Sequence, residues 1–180
     1  FNYSVIHELS LEEDGYVVAT IHRDFNTDDP VRLRWILENL QELSKQLRVV
    51  FPMHPRTRKR VKEFGLEDML TGLDVIQPLD YLSLMGLVMH CAFVITDSGG
   101  LQKEAYFCGK RALIVMPDTG WRELTDAGWN VLVDSVGTSF VPVGKLIGSN
   151  NKEPFFIQVY GEGNASSLIA DVFNKSYDHV

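Results

Sequence analysis

Short, unbroken apolar runs alternate along this chain with stretches in which apolar residues recur every three or four positions. Tyr16-Val17-Val18-Ala19-Thr20-Ile21 is such a run. Others are Arg48-Val49-Val50-Phe51-Pro52, Val75-Ile76-Gln77, Ala92-Phe93-Val94-Ile95, Arg111 to Met116 and Asn130-Val131-Leu132-Val133. Their length and β-favouring content predict strands covered on both faces. Between the first two, Leu33, Ile36, Leu37, Leu40 and Leu43 form a helical stripe. Asp29 is placed to cap that helix and Pro30 to occupy its first position. Arg56-Thr57-Arg58-Lys59-Arg60 opens a helix that Gly65 closes, its charges reading mostly as a solvated face. A helix from Tyr81 takes Asp80 as its cap, and one through Leu101, Ala105 and Cys108 stops at Gly109. A brief helix follows from Glu123 to Ala127. A last one runs from about Asn164 toward Tyr177, carrying Leu168, Ile169, Val172 and Phe173. Residues 1–15 are polar and mixed, a linker or short helix ahead of a domain spanning 16–180. From Gly137 to Gly161 the pattern weakens, with Pro142, Pro154 and Asn150-Asn151, and no element is assigned there.

Strands alternating with helices predict an α/β fold with a parallel sheet and helices on both faces. Ligands of such sheets bind beyond the carboxyl ends of the strands, near the point where strand order reverses. His22-Arg23, His54, Gln77 to Tyr81, Ser98 to Gly100 and Asp118 to Arg122 all follow predicted strand ends, so they are expected to line one crevice.

The stretch Thr96-Asp97-Ser98-Gly99-Gly100-Leu101-Gln102-Lys103-Glu104-Ala105 carries the most chemistry. It reads as strand, tight Ser-Gly-Gly turn and helix. Unpaired backbone N–H groups and the positive end of the helix dipole then converge on one spot suited to an anion. The glycines remove the Cβ atoms that would hold a phosphate away from the backbone. Glu104, one turn further on, is suited to accept hydrogen bonds from ribose hydroxyls. The plainer reading is a capped helix preceded by a glycine turn, and spacing alone does not separate the two.

At 180 residues, with 45% hydrophobic and 23% charged residues, the chain has the composition of one ordinary globular domain, or of half of a two-domain protein. A formal net charge of −7 argues against nucleic acid as the main partner, while a local site for a small anion remains compatible with it. Two cysteines without metal-type spacing suggest a reducing cytoplasm. The five histidines show no metal-binding spacing, so neither a metal nor a cofactor is expected. The most apolar window, Tyr81 to Thr96, is too short and too interrupted for a membrane span. The opening on Phe1 suggests a fragment of a longer protein. Trp35 and His90 read as packing residues, and Asp28-Asp29 as a helix cap rather than a metal pair. His7 and His179, near the termini, carry no signal.

Six stretches, in this order, resemble the carboxyl-terminal half of the UDP-N-acetylglucosamine 2-epimerases. They are Thr20-Ile21-His22-Arg23 with Asn26, Phe51-Pro52-Met53-His54-Pro55, Pro78-Leu79-Asp80-Tyr81-Leu82, Thr96 to Ala105, the Arg122 loop, and Tyr160-Gly161-Glu162-Gly163-Asn164-Ala165. The resemblance implies the carboxyl-terminal, Rossmann-like domain of a two-domain glycosyltransferase-B architecture, with most of a UDP-sugar's UDP held by this half. It places the Ser98, Gly99 and Gly100 amides on the diphosphate, Glu104 on the ribose, and the loop with Gln77, Leu79 and Tyr81 at the uracil. It sets His22 and Arg122 facing the diphosphate and sugar as catalytic groups, with Arg23 and His54 at the same rim. The implied reaction eliminates UDP to a glycal and adds it back with inversion at carbon 2. The acidic residues that handle the proton are implied to lie in an amino-terminal half before Phe1, so this chain alone is expected to bind UDP and not to epimerise. A cytoplasmic setting and a homodimer of the full-length protein accompany that picture. Two places depart from the family pattern: Phe25 stands where a Glu is usual, and the family's Glu-Arg-Pro-Glu loop reads Trp121-Arg122-Glu123-Leu124, which keeps Arg122 but replaces the Pro after it. A glycosyltransferase of the same architecture, a non-catalytic sugar-nucleotide module, and a hydrolysing epimerase are the alternatives.

Overall fold

The structure, a computed structural model, describes residues 1–149 and 159–177. Six strands form one wholly parallel sheet: β1 (Tyr16–Thr20), β2 (Arg48–Pro52), β3 (Asp74–Ile76), β4 (Phe93–Thr96), β5 (Ala112–Ile114) and β6 (Val131–Leu132), in the order β3-β2-β1-β4-β5-β6. Strand order therefore reverses between β1 and β4, which pair from Val17↔Phe93 to Thr20↔Thr96. This is the doubly wound order of Rossmann-like sheets, with its ligand-binding crevice at that reversal.

The nine α-helices among the described residues are α1 (Ser4–Glu8), α2 (Asp24–Thr27), α3 (Pro30–Ser44), α4 (Pro55–Glu63), α5 (Tyr81–His90), α6 (Gly99–Phe107), α7 (Arg122–Asp126), α8 (Phe140–Ser149) and α9 (Ala165–Tyr177). Side chains alternate across the strands, so each strand feeds two cores. Val17, Ala19, Val49, Phe51, Phe93 and Ile95 meet the α3 stripe on one side. Tyr16, Val18, Val50 and Val94 meet Met85, Leu87, Leu101 and Ala105 of α5 and α6 on the other. Burial on both faces explains why the strands read as continuous apolar runs rather than alternating ones.

Most boundaries follow local chemistry. The Asp29 carboxylate accepts from the Val31 and Arg32 amides ahead of Pro30 at the first turn of α3, and Asp80 accepts from the Ser83 amide at the start of α5. Gly65 and Gly109 take positive φ, of 64° and 70°, just beyond α4 and α6. Asp28 does not cap; its carboxylate holds Arg56 and Arg60 of α4. Trp35 is packing, edge-on to Phe140 with its indole N–H on the Thr138 carbonyl.

Three stretches differ from expectation. The weak pattern after Gly137 contains α8, whose Pro142 falls in the first turn, where proline costs no hydrogen bond, and whose Gly144 lies under the Phe93 ring. Asn150, Asn151 and Pro154 lie outside the described residues, as does His179. Asp24-Phe25-Asn26 forms the one-turn α2 rather than a loop, because the Arg23 carbonyl accepts from the amides of Asn26 and Thr27. Gly99 and Gly100 are the first two residues of α6 and not a tight turn; neither has a positive φ.

Residues 1–15 are not loose. The Asn2 amide donates to the Leu82 carbonyl, and its side chain donates to Ser83 Oγ, which in turn donates to the Asp80 carboxylate. A Cβ on Gly86 would lie 2.1 Å from the Asn2 carbonyl oxygen, so this close seat requires glycine.

Candidate functional site

At the β1/β4 reversal the two strand ends are locked by a buried polar network. Thr20 Oγ1 and Thr96 Oγ1 share a hydrogen bond of 2.7 Å, and the Ser98 amide donates to Thr96 Oγ1 at 2.9 Å. Asp97, with no exposed surface, accepts from the amides of His22 at 3.0 Å and Arg23 at 2.9 Å, and from Asn26 Nδ2 at 3.0 Å. Asn26 Nδ2 also donates to the Val115 carbonyl, and Asn26 Oδ1 accepts from Arg32 Nε. A buried carboxylate is tolerated only when its lone pairs are met in this way. The His22 imidazole sits beside it, Nε2 3.8 Å from the Asp97 carboxylate. Asp97 thus fixes the β1 loop against the start of α6. Sequence reasoning missed this role of Asp97, because its partners lie more than seventy residues away in the chain.

Above this network the first amides of α6 face open space. Ser98 Oγ accepts weakly from the Leu101 amide at 3.5 Å, while no described residue accepts from the Gly99 or Gly100 amide. A Cβ added to either glycine would meet nothing within 4 Å. The fold itself therefore does not require glycine at these positions. Both N–H groups stand at the positive end of a nine-residue helix with room for a ligand to reach the backbone.

The cleft beside them has a volume of about 170 Å³ and is walled by Thr20, His22, His54, Leu79, Ser98 and Glu104, with Pro52, Pro78, Leu84 and Leu101. Five of the sequence-predicted residues, His22, His54, Leu79, Ser98 and Glu104, meet there. His22 and His54 face each other with ring centroids 5.9 Å apart. His54 Nδ1 accepts from the Arg56 amide at the start of α4, which leaves a neutral His54 with its proton on Nε2. Gly99 and Gly100 do not wall the cleft themselves; their chain neighbours Ser98 and Leu101 do. Gln77 and Tyr81 are exposed on the β3 side, and Arg23 is exposed beyond His22. None of these three side chains walls the cleft. Arg122 is not in it either: it begins α7 and pairs with Asp118 at 2.8 Å on the surface. That pairing holds the Asp118 carboxyl below its ordinary range, the guanidinium being the main cause and the Thr119 amide the next. Leu124 is wholly buried, and Phe25 lies under the Arg32 guanidinium, 6.0 Å from it.

Behind the start of α6 the loop after β5 is tied in. Thr119 Oγ1 donates to the buried Gln102 side chain at 2.6 Å and accepts from the Trp121 amide at 3.1 Å. The Trp121 indole N–H donates to the Gly99 carbonyl at 2.6 Å. Among the described residues there is no cluster of His, Cys, Asp and Glu able to hold a metal, and no helix is long and apolar enough to cross a membrane. The arrangement brings together amides without a described acceptor at Gly99 and Gly100, a carboxylate at Glu104 and an apolar wall at Pro78 and Leu79.

Residues 2–174 match the family model described as UDP-N-acetylglucosamine 2-epimerase. The chain is 41% identical, over 91% of its length, to a Pseudomonas aeruginosa protein named UDP-2,3-diacetamido-2,3-dideoxy-D-glucuronate 2-epimerase, of which it covers 45%. Among solved structures it is similar to the UDP-GlcNAc 2-epimerase of Methanocaldococcus jannaschii, with a TM-score of 0.82 and 29% identity over 97% of this chain and 50% of that one. A second structure of that protein, in complex with UDP-GlcNAc and UDP, aligns with a TM-score of 0.80 and 28% identity over 97% of this chain and 49% of that one. The glycosyltransferase SnogD from Streptomyces nogalater shares the fold alone, with a TM-score of 0.55 and 12% identity over 80% of this chain and 38% of that one. The chain spans about half the length of the relatives it matches.

Proposed function

Because the chain belongs to the UDP-N-acetylglucosamine 2-epimerase family, we propose that it is the nucleotide-binding half of an enzyme interconverting UDP-GlcNAc and UDP-ManNAc. The observation that carries this reading is the pair of amides at Gly99 and Gly100 without a described acceptor, set between Ser98 and Leu101 of a cleft that Glu104, His22 and His54 also wall. The diphosphate lies on the start of α6, Glu104 takes the ribose hydroxyls, and the base rests against Pro78 and Leu79, with Gln77 and Tyr81 at its edge.

In the reaction the bond from sugar C1 to the UDP oxygen breaks as the C2 proton leaves, giving a glycal and UDP. The proton then returns to the opposite face of C2 and UDP returns to C1. The groups of this chain act on the departing diphosphate. Fixed amides and neighbouring His22 stabilise charge as it develops, which is where preorganised donors contribute most to rate. Arg122 joins them by exchanging Asp118 for the diphosphate, and Arg23 stands at the same rim. Glu104 is the one carboxylate among the residues walling the cleft, and it is committed to the ribose. As the family resemblance implies, the acid and base that move the C2 proton belong to an amino-terminal half, and this chain alone binds UDP without epimerising. The full-length protein is read as a cytoplasmic homodimer.

A second reading follows from the Pseudomonas relative. A substrate of that type bears a carboxylate on the sugar and a second acetamido group, and Arg122 or Arg23 is a suitable partner for the carboxylate.

Calorimetric titration with UDP tests the binding site. Ser98→Trp, which fills the space over the amides, is expected to abolish binding, and Glu104→Ala to weaken it. Unchanged affinity in both variants would overturn the assignment. Epimerisation by the 180-residue chain would overturn the division of labour. Turnover of the two sugar nucleotides by the full-length enzyme separates the two substrate readings.

A further inference from the structure

Lys103 lies one turn into α6, and its ammonium group sits in the corner formed by two aromatic rings. Nζ is 4.3 Å from the Trp121 ring centre and 4.2 Å from that of Tyr160. The two rings stand edge to face, 6.2 Å apart, and Tyr160 is itself edge-on to Tyr106. No described carboxylate pairs with Lys103, so the rings are what hold it. A cation over an aromatic face is attracted by the ring quadrupole, and here two faces share one cation.

The indole held by this cation is the one that donates to the Gly99 carbonyl at 2.6 Å. That carbonyl shares a rigid, planar peptide unit with the Gly100 N–H, so fixing the oxygen fixes the direction of the hydrogen on the other side.

We propose that Lys103 is a positioning residue of the nucleotide site: held between Trp121 and Tyr160, it keeps the indole on the Gly99 carbonyl and so aims the Gly100 N–H at the diphosphate. The proposal rests on the placement of UDP given above. It makes the aromatic pair part of the anion site, although neither ring touches the cleft.

The test compares UDP with uridine, which lacks the diphosphate, as ligands of the 180-residue chain and its Lys103→Met, Lys103→Arg and Trp121→Phe variants. Lys103→Met and Trp121→Phe are expected to weaken UDP about fivefold to tenfold and leave uridine unchanged, with Lys103→Arg restoring the parent affinity. In the same samples, hydrogen exchange of the Trp121 indole N–H, assigned by its loss in Trp121→Phe, is expected to accelerate in Lys103→Met. An indole whose exchange is unaffected by Lys103→Met would overturn the proposal, as would equal losses for UDP and uridine. If the parent fails to bind UDP, the nucleotide placement fails instead, and the indole exchange still decides whether Lys103 holds Trp121.

Discussion

Two aspartates stand just beyond strand ends on the crevice side, and they do opposite work. Asp97 after β4 is fully buried and accepts from two backbone amides and the Asn26 side chain. Asp118 after β5 is exposed and meets the Arg122 guanidinium in solvent. The first joint has no slack, because every donor around it would be orphaned if it moved. The second can exchange its partner at small cost, since an exposed ion pair contributes little. The molecule is thus fixed under the proposed backbone site at the start of α6 and free beside Arg122.

The strongest way to break this contrast is Asp97→Asn, which turns a donor toward the His22 and Arg23 amides. It is expected to cost about 3 kcal/mol or more by denaturant unfolding and to abolish UDP binding. A stable Asp97→Asn protein with parent affinity would show that the joint is not rigid. Asn26→Ala, which removes the bridge from Asp97 to the Val115 carbonyl, is expected to cost about 2 kcal/mol and to weaken UDP binding less. Arg122→Ala should leave the unfolding midpoint unchanged while lowering UDP affinity by less than Ser98→Trp does. A destabilised Arg122→Ala would mean that the exposed joint is structural after all. Smallest is the pH effect at Asp118. Its carboxyl is depressed in the folded chain, so its contribution is present above the ordinary carboxylate value and is lost as pH falls through the lower, folded one. The midpoint difference between the parent and Asp118→Asn should accordingly be slight at neutral pH and vanish in acid.

What the residue pattern made legible was whatever local chemistry decides. Each of the six strands was marked by its apolar run, and Asp29-Pro30 and Asp80 marked their helix starts. The crevice followed from the parallel sheet, and His22, His54, Leu79, Ser98 and Glu104 do share one cleft. Helix α8 was obscured because its two glycines and Pro142 mimic a loop, and only packing under Phe93 reveals the reason for Gly144. The α3 and α9 stripes look alike in sequence, yet Leu33, Ile36, Leu37 and Leu40 are wholly buried whereas Leu168, Ile169 and Phe173 are more than half exposed. Periodicity names a face and not what covers it. Asp97 as a brace and Trp121 as a hold on Gly99 were equally illegible, since both depend on partners more than twenty residues away. Arg122 was read as facing the diphosphate; its partner here is Asp118, four residues before it in the chain.

The seat of Asn2 on Gly86 has a mechanical consequence. Tension on the amino terminus is delivered first to the bonds at Leu82 and Ser83, and Ser83 hands it on to the Asp80 carboxylate that starts α5. The leading segment is therefore a tether fastened beside the proposed uracil loop rather than to the rim of the domain. Stretching the chain from residue 1 loads that loop before any strand of the sheet, and a methyl group at Gly86 would cut the line.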